Sequence, residues 1–190
     1  MHGLLKIGTA AAMLAASTVG TVAQDTIPWD VPEVRGWTVA IDTTLGGGCF
    51  MYTIFAGDAS ARIGFDLQAG NIYLLLADLD WTSISADQSY DIELQMGNQP
   101  SWTASASGGR MGDVPTLMLT STDSAFMEEF AAENSIKVWY KKNEIMHLSL
   151  KGSMAAMNEV LKCQDAVNAA LTAGGGGGGG ASVGADPFAN

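Results

Sequence analysis

The chain has 190 residues, with 9 Lys+Arg against 20 Asp+Glu and a formal net charge of −11. So acidic a chain argues against nucleic acid and anionic membrane surfaces as partners, because both recruit basic patches. The length suits one domain with a real core.

Residues 1–23 read as a removed secretory signal peptide. Lys6 supplies the positive charge, Ile7 to Ala16 is apolar but too short to span a bilayer, and Thr21-Val22-Ala23 precedes the polar Gln24-Asp25. No later stretch is long and apolar enough to be a transmembrane segment. The implied address is periplasmic or secreted. In such an oxidising compartment the two cysteines, Cys49 and Cys163, are expected to form a structural disulfide. It would close a loop of about 114 residues, which chain entropy credits with roughly 4–5 kcal/mol as an upper figure.

Residues 24–36, with Pro28 and Pro32, read as an extended lead-in. Trp37, Val39 and Ile41 then alternate as a strand with one wet side. Gly46-Gly47-Gly48 turns the chain, and Cys49 to Phe55 is apolar on both faces, as in a central strand. Ala61 to Leu67 points Ile63, Phe65 and Leu67 inward and Arg62, Gly64 and Asp66 outward. Ile72 to Ala77 is a second two-faced strand. Ser89 to Met96 has the clearest period of two, with Tyr90, Ile92, Leu94 and Met96 inward. Trp102, Ala104 and Ala106 suggest another strand. Gly108-Gly109 and Gly112-Asp113 frame a loop around Arg110, and Thr116 to Thr120 is a short strand.

Asp123 can cap a helix carrying Phe126, Met127, Phe130 and Ala131, with Asn134 as its stop. Ile136, Val138 and Tyr140 make a strand face, Lys141 to Asn143 turns, and Ile145 to Leu150 returns as a hairpin. Ser153 is the expected N-cap of a second helix, in which Ala156, Val160, Cys163 and Val167 share the apolar side. That helix is expected to fade near Leu171. Residues 172–190, with seven consecutive glycines, read as a disordered tail. No βαβ alternation is visible. The expected fold is mainly β: an antiparallel β-sandwich or partly closed barrel over residues 37–171, with a short helix and a C-terminal helix packed on the sheet.

Chemistry-bearing residues are few. His147 is the only histidine beyond the leader and lies out of phase with Met146, Leu148 and Leu150, as a surface strand histidine would. A Cys49–His147 thiol pair would need Cys49 to stay reduced. No G-x-S-x-G elbow occurs, and the three glycines lack a following Lys-Ser/Thr. Asp78 and Asp80, with Asp58 or Asp87, could hold Ca²⁺ or act as an acid/base pair, but they lack EF-hand spacing and fit a solvated loop better. No metal site or cofactor is expected. Trp139 alternates out of phase with Ile136, Val138 and Tyr140, between Lys137 and Lys141. It is either an outward contact residue or part of a second packed sheet face.

The Trp37-Thr38-Val39 strand, the single cysteine soon after it, and Ser149-Leu150-Lys151-Gly152-Ser153 followed by Ala155-Ala156 resemble the invasion-associated locus B family. Those are small exported proteins of alphaproteobacteria. The resemblance implies a β-rich periplasmic or outer-envelope protein with a role at the cell envelope, linked in some members to host-cell entry. It brings no catalytic residues.

The expected function is therefore an exported cell-envelope binding or interaction protein without catalytic activity. Its partner would be a protein, cationic if the chain's charge recruits it. The alternatives are an inhibitor or chaperone of a basic envelope protein, and a hydrolase using loop carboxylates or a thiol.

Overall fold

The computed structural model describes residues 25–175. The expected leader over residues 1–23 and the chain beyond Gly175 lie outside the described residues. The strands are β1 (Thr26–Val34), β2 (Trp37–Asp42), β3 (Gly48–Ile54), β4 (Ser60–Asp66), β5 (Asn71–Ala77), β6 (Ser89–Met96), β7 (Trp102–Met111), β8 (Val114–Ser121), β9 (Ser135–Tyr140) and β10 (Asn143–Ser149). The helices are α1 (Ser124–Ala132) and α2 (Ser153–Gly175). All strands pair antiparallel in one sheet of order β1-β2-β3-β4-β5-β8-β7-β6-β9-β10, which is not closed into a tight barrel.

Strand parity decides the core. Val39, Met51, Ile63, Leu74, Leu117, Leu94 and Val138 point to one face and join a single cluster with Phe126 and Phe130 of α1 and Ala156, Val160 and Cys163 of α2. Strands from both ends of the sheet contribute to it, so the sheet curls around the two helices. Fully burying one such side chain is worth about 1.5–3 kcal/mol.

The disulfide fastens α2 to this inner face. Cys49 on β3 and Cys163 on α2 are bonded with Cα atoms 6.0 Å apart, and both are fully buried. The neighbouring Gln164 side chain accepts the Cys49 N–H at 3.0 Å, a second tie between the same elements. At the other end of the helix, Trp37 packs edge-on against Phe130, with ring centroids 5.9 Å apart, and donates its Nε1 proton to the Lys151 carbonyl at 3.2 Å.

Several elements differ from the sequence expectation. The lead-in is a strand, β1, whose pairing with β2 breaks register between Pro28 and Glu33. Two prolines are tolerated there because β1 is an edge. β7 runs on to Met111, so Gly108, Gly109 and Arg110 belong to a strand and the turn shrinks to Gly112–Asp113. A Cβ on Gly108 would run into the Ser85 carbonyl oxygen and lie 2.8 Å from the Tyr90 ring, which is why the residue there is glycine.

Asp123 does cap α1, accepting the Ala125 N–H at 3.0 Å. Ser153 does not cap α2. Its hydroxyl donates to the Ala131 carbonyl in the last turn of α1, and the residue before the helix is Gly152, at φ +92°. Any side chain at Gly152 would be strained, and a Cβ would also press on Arg35, 2.8 Å away. Finally, α2 continues past Leu171 to Gly175, because Thr172 and Ala173 extend it before the glycines dilute helix propensity.

Candidate functional site

The helices occupy the inner face of the sheet, which leaves the outer face to meet the surroundings. Two regions of it hold side chains that core packing does not explain.

The first region is centred on Arg62. β3 and β5 carry apolar residues on both faces, so Ala40, Phe50 and Tyr73 form a small second cluster on the outer side. Opposite Phe50, Gly64 lets the two strands approach closely, since a Cβ there would meet the Cys49 carbonyl oxygen at 2.6 Å and the Phe50 Cα at 2.7 Å. The Arg62 guanidinium lies 3.6 Å from the Phe50 ring centroid and donates from Nε to the Tyr73 hydroxyl at 2.7 Å. It also pairs with Oδ2 of Asp42. The other oxygen, Oδ1, caps the short 3-10 turn at Thr43–Leu45, accepting from the Thr44 amide at 2.7 Å and the Thr44 hydroxyl at 2.6 Å.

Burial alone would raise the Asp42 carboxyl. The Thr44 donors and the Arg62 cation outweigh it and hold the group below its ordinary value. Burial pushes the Tyr73 phenol up to about 12. With every charge satisfied, this network fixes β2, β4 and β5 together. Beside it lies an open apolar hollow of about 210 Å³ that includes Tyr52, Ile54, Leu75 and Met111.

The second region surrounds Trp139. On the outer face Trp139 lies opposite Glu93 of β6 and Glu144 of β10, and Glu93 in turn lies opposite Thr103 of β7. A groove of about 470 Å³ runs over these strands, lined by Asp91, Glu93, Thr103, Ser105, Trp139, Lys141 and Lys142. Among the described residues the side chains of Asp91, Glu93, Lys141 and Lys142 form no ion pair with one another or with any neighbour. Lys141 Nζ instead sits 4.9 Å from the Tyr140 ring centroid.

The remaining candidates are scattered. Cys49 has its sulfur in the disulfide, so a thiol nucleophile is not present in this structure. His147 lies opposite Lys137 on the outer face, on the far side of the sheet from Cys49, with Nδ1 3.9 Å from Glu144. Asp78 accepts the Asp80 N–H at 2.9 Å and so shapes its own loop. No cluster of three or more His, Cys, Asp or Glu that could hold a metal ion occurs among the described residues.

The Asp42–Arg62 network was missed from sequence, where Arg62 reads as an ordinary outward residue. The available signal was the two-faced apolar pattern of β3 and β5, which requires something to cover their outer sides. Met111 and Met118 are about half exposed on this side of the sheet, at 48% and 41%.

No protein-family model matches the chain, and no curated protein matches it in sequence. Its fold is similar to the crystal structure of invasion associated protein B from Bartonella henselae, with a TM-score of 0.52 at 12% identity over 70% of this chain and 96% of that one. At that identity the likeness is one of fold.

Proposed function

We propose that the chain is an exported, periplasmic or secreted cell-envelope protein that binds through the outer face of its sheet and performs no catalysis. The observation that carries this reading is Trp139, a large indole on the outer face that lines a groove with four charged side chains held in no ion pair. Aromatic side chains so placed are typical anchors of recognition surfaces. The name of the Bartonella protein of similar fold adds the expectation of a role in invasion.

The experiment is capture from envelope extract by the domain over residues 24–175 and by its Trp139→Ala variant. A component retained by the parent and lost by the variant supports the reading. Identical retention by both overturns it.

A second reading is an inhibitor or chaperone of a basic envelope protein, favoured by the net charge of −11. It predicts capture of a cationic protein that weakens as salt screens the attraction and does not depend on Trp139.

A further inference from the structure

The turn beside the Trp139 groove is built against local preference. Among the described residues three hairpins have two-residue connections: Arg35–Gly36, Gly112–Asp113 and Lys141–Lys142. The first two place glycine at a position of positive φ. The third has no glycine, although Lys141 and Lys142 stand at φ +49° and +70°. A turn with both central residues at positive φ is best served by Asn-Gly, since L-residues with side chains resist that conformation. Both lysines line the groove. The chain therefore accepts backbone strain at two lysines that line the groove with Trp139, and strain of that kind clusters at functional positions.

The lining also discriminates between ligand classes. Asp91 and Glu93 disfavour an anion, and Lys141 and Lys142 disfavour a cation. A neutral polyhydroxylated ring satisfies both sets, because each hydroxyl donates to a carboxylate and accepts from an ammonium group. Its C–H face stacks on an indole, whose ring face carries partial negative charge. The Thr103 and Ser105 hydroxyls extend the same surface, and about 470 Å³ is within the range of small-ligand sites.

We infer that the groove over β6, β7 and β9 is a binding site for a neutral saccharide, with Trp139 as the stacking platform, Asp91 and Glu93 as acceptors from vicinal hydroxyls, and Lys141 and Lys142 as donors to sugar oxygens. This rests on the reading of Trp139 as the contact residue and names the ligand class.

The test is NMR titration of the ¹⁵N-labelled protein over residues 24–190 with maltose, cellobiose and chitobiose, with acetate and putrescine as charged controls. Trp139→Phe identifies the Trp139 indole signal. A saturable shift of that signal and of the Asp91–Glu93 amides, with at least one disaccharide at millimolar concentration and with neither control, is the expected result. Glu93→Gln should then weaken binding about tenfold, the equivalent of one good hydrogen bond to a charged group. Replacing Lys141-Lys142 by Asn-Gly should weaken it while preserving the fold. No shift with any disaccharide, or equal shifts with acetate or putrescine, overturns the saccharide site. If envelope capture still depends on Trp139 in that case, the contact surface stands and only its ligand class fails.

Discussion

The indole Nε1 of Trp37 donates to the carbonyl of Lys151 at 3.2 Å, joining the second strand to the strand-to-helix junction 114 residues later. The two stretches that resemble the invasion-associated locus B family at the sequence level are thus one structural unit. Trp37 fills the space beneath Lys151-Gly152, and Gly152 is glycine partly because Arg35 and Trp37 crowd it. Trp37→Phe keeps an aromatic ring in place while removing the donor and part of the buried indole. Stability should fall by about 1–3 kcal/mol, the cost of leaving a partly buried carbonyl unpaired. Urea unfolding checks this, and an unchanged midpoint would show that water replaces the bond.

Loss of the Cys49–Cys163 bond should cost more. A disulfide closing so long a loop typically contributes about 2–5 kcal/mol. The unfolding midpoint should drop on addition of reductant, and Cys163→Ser should match the reduced parent. Thiol titration of the folded, unreduced protein should detect no free thiol.

The Asp42–Arg62 network predicts an acid limb of stability. The Asp42 carboxyl titrates below its ordinary 3.8 in the fold. Its contribution is therefore complete above that unfolded value and is lost as the pH falls through the lower folded value. Asp42→Asn should remove this residue's share of the acid slope. At neutral pH it should destabilise by about 2–4 kcal/mol, toward the lower end for broken buried pairs because Arg62 keeps some contact with water.

Tyr73 gives the opposite limb. Its phenol is raised from 10.0 to about 12, so the unfolded chain loses that proton first. Stability held below pH 10 should decline as the pH rises toward 12, and Tyr73→Phe should flatten that decline. A midpoint profile identical in parent and variant would contradict this origin.

The strained turn should be improvable. Replacing Lys141-Lys142 by Asn-Gly should stabilise the domain by about 1–2 kcal/mol, by relieving two side-chain-bearing residues of positive φ. A thermal melt decides it. A variant less stable than the parent would show that the lysine side chains hold the hairpin together.

How much of this was legible follows from how local each signal is. β6 was read to its boundaries because one face is buried and one is wet, so parity shows in the letters. α1 was legible from Asp123 and its apolar stripe for the same reason. β1 was obscured by prolines that only an edge position excuses, and edge position is a property of the whole sheet. The actual role of Ser153 was hidden because its partner, Ala131, lies on another helix. Arg62 was misjudged because its ring and carboxylate partners come from β3, β5 and the end of β2. Trp139 was visible as an anomaly of phase, but the groove around it needs β6 and β7 alongside β9.

The position of Cys163 also dictates timing. Cys49 is synthesised 114 residues before the sulfur it will bond. At usual elongation rates of about 5–20 residues per second, it waits roughly 6–23 s with no correct partner in existence. Wherever the chain emerges into an oxidising compartment with Cys49 ahead of Cys163, that thiol meets small-molecule disulfides and the same cysteine on another chain before its own partner. Native pairing must then be reached by forming the bond late or by exchanging it. Maturation of this protein should accordingly be more sensitive to the thiol–disulfide exchange capacity of its compartment than its single disulfide would suggest.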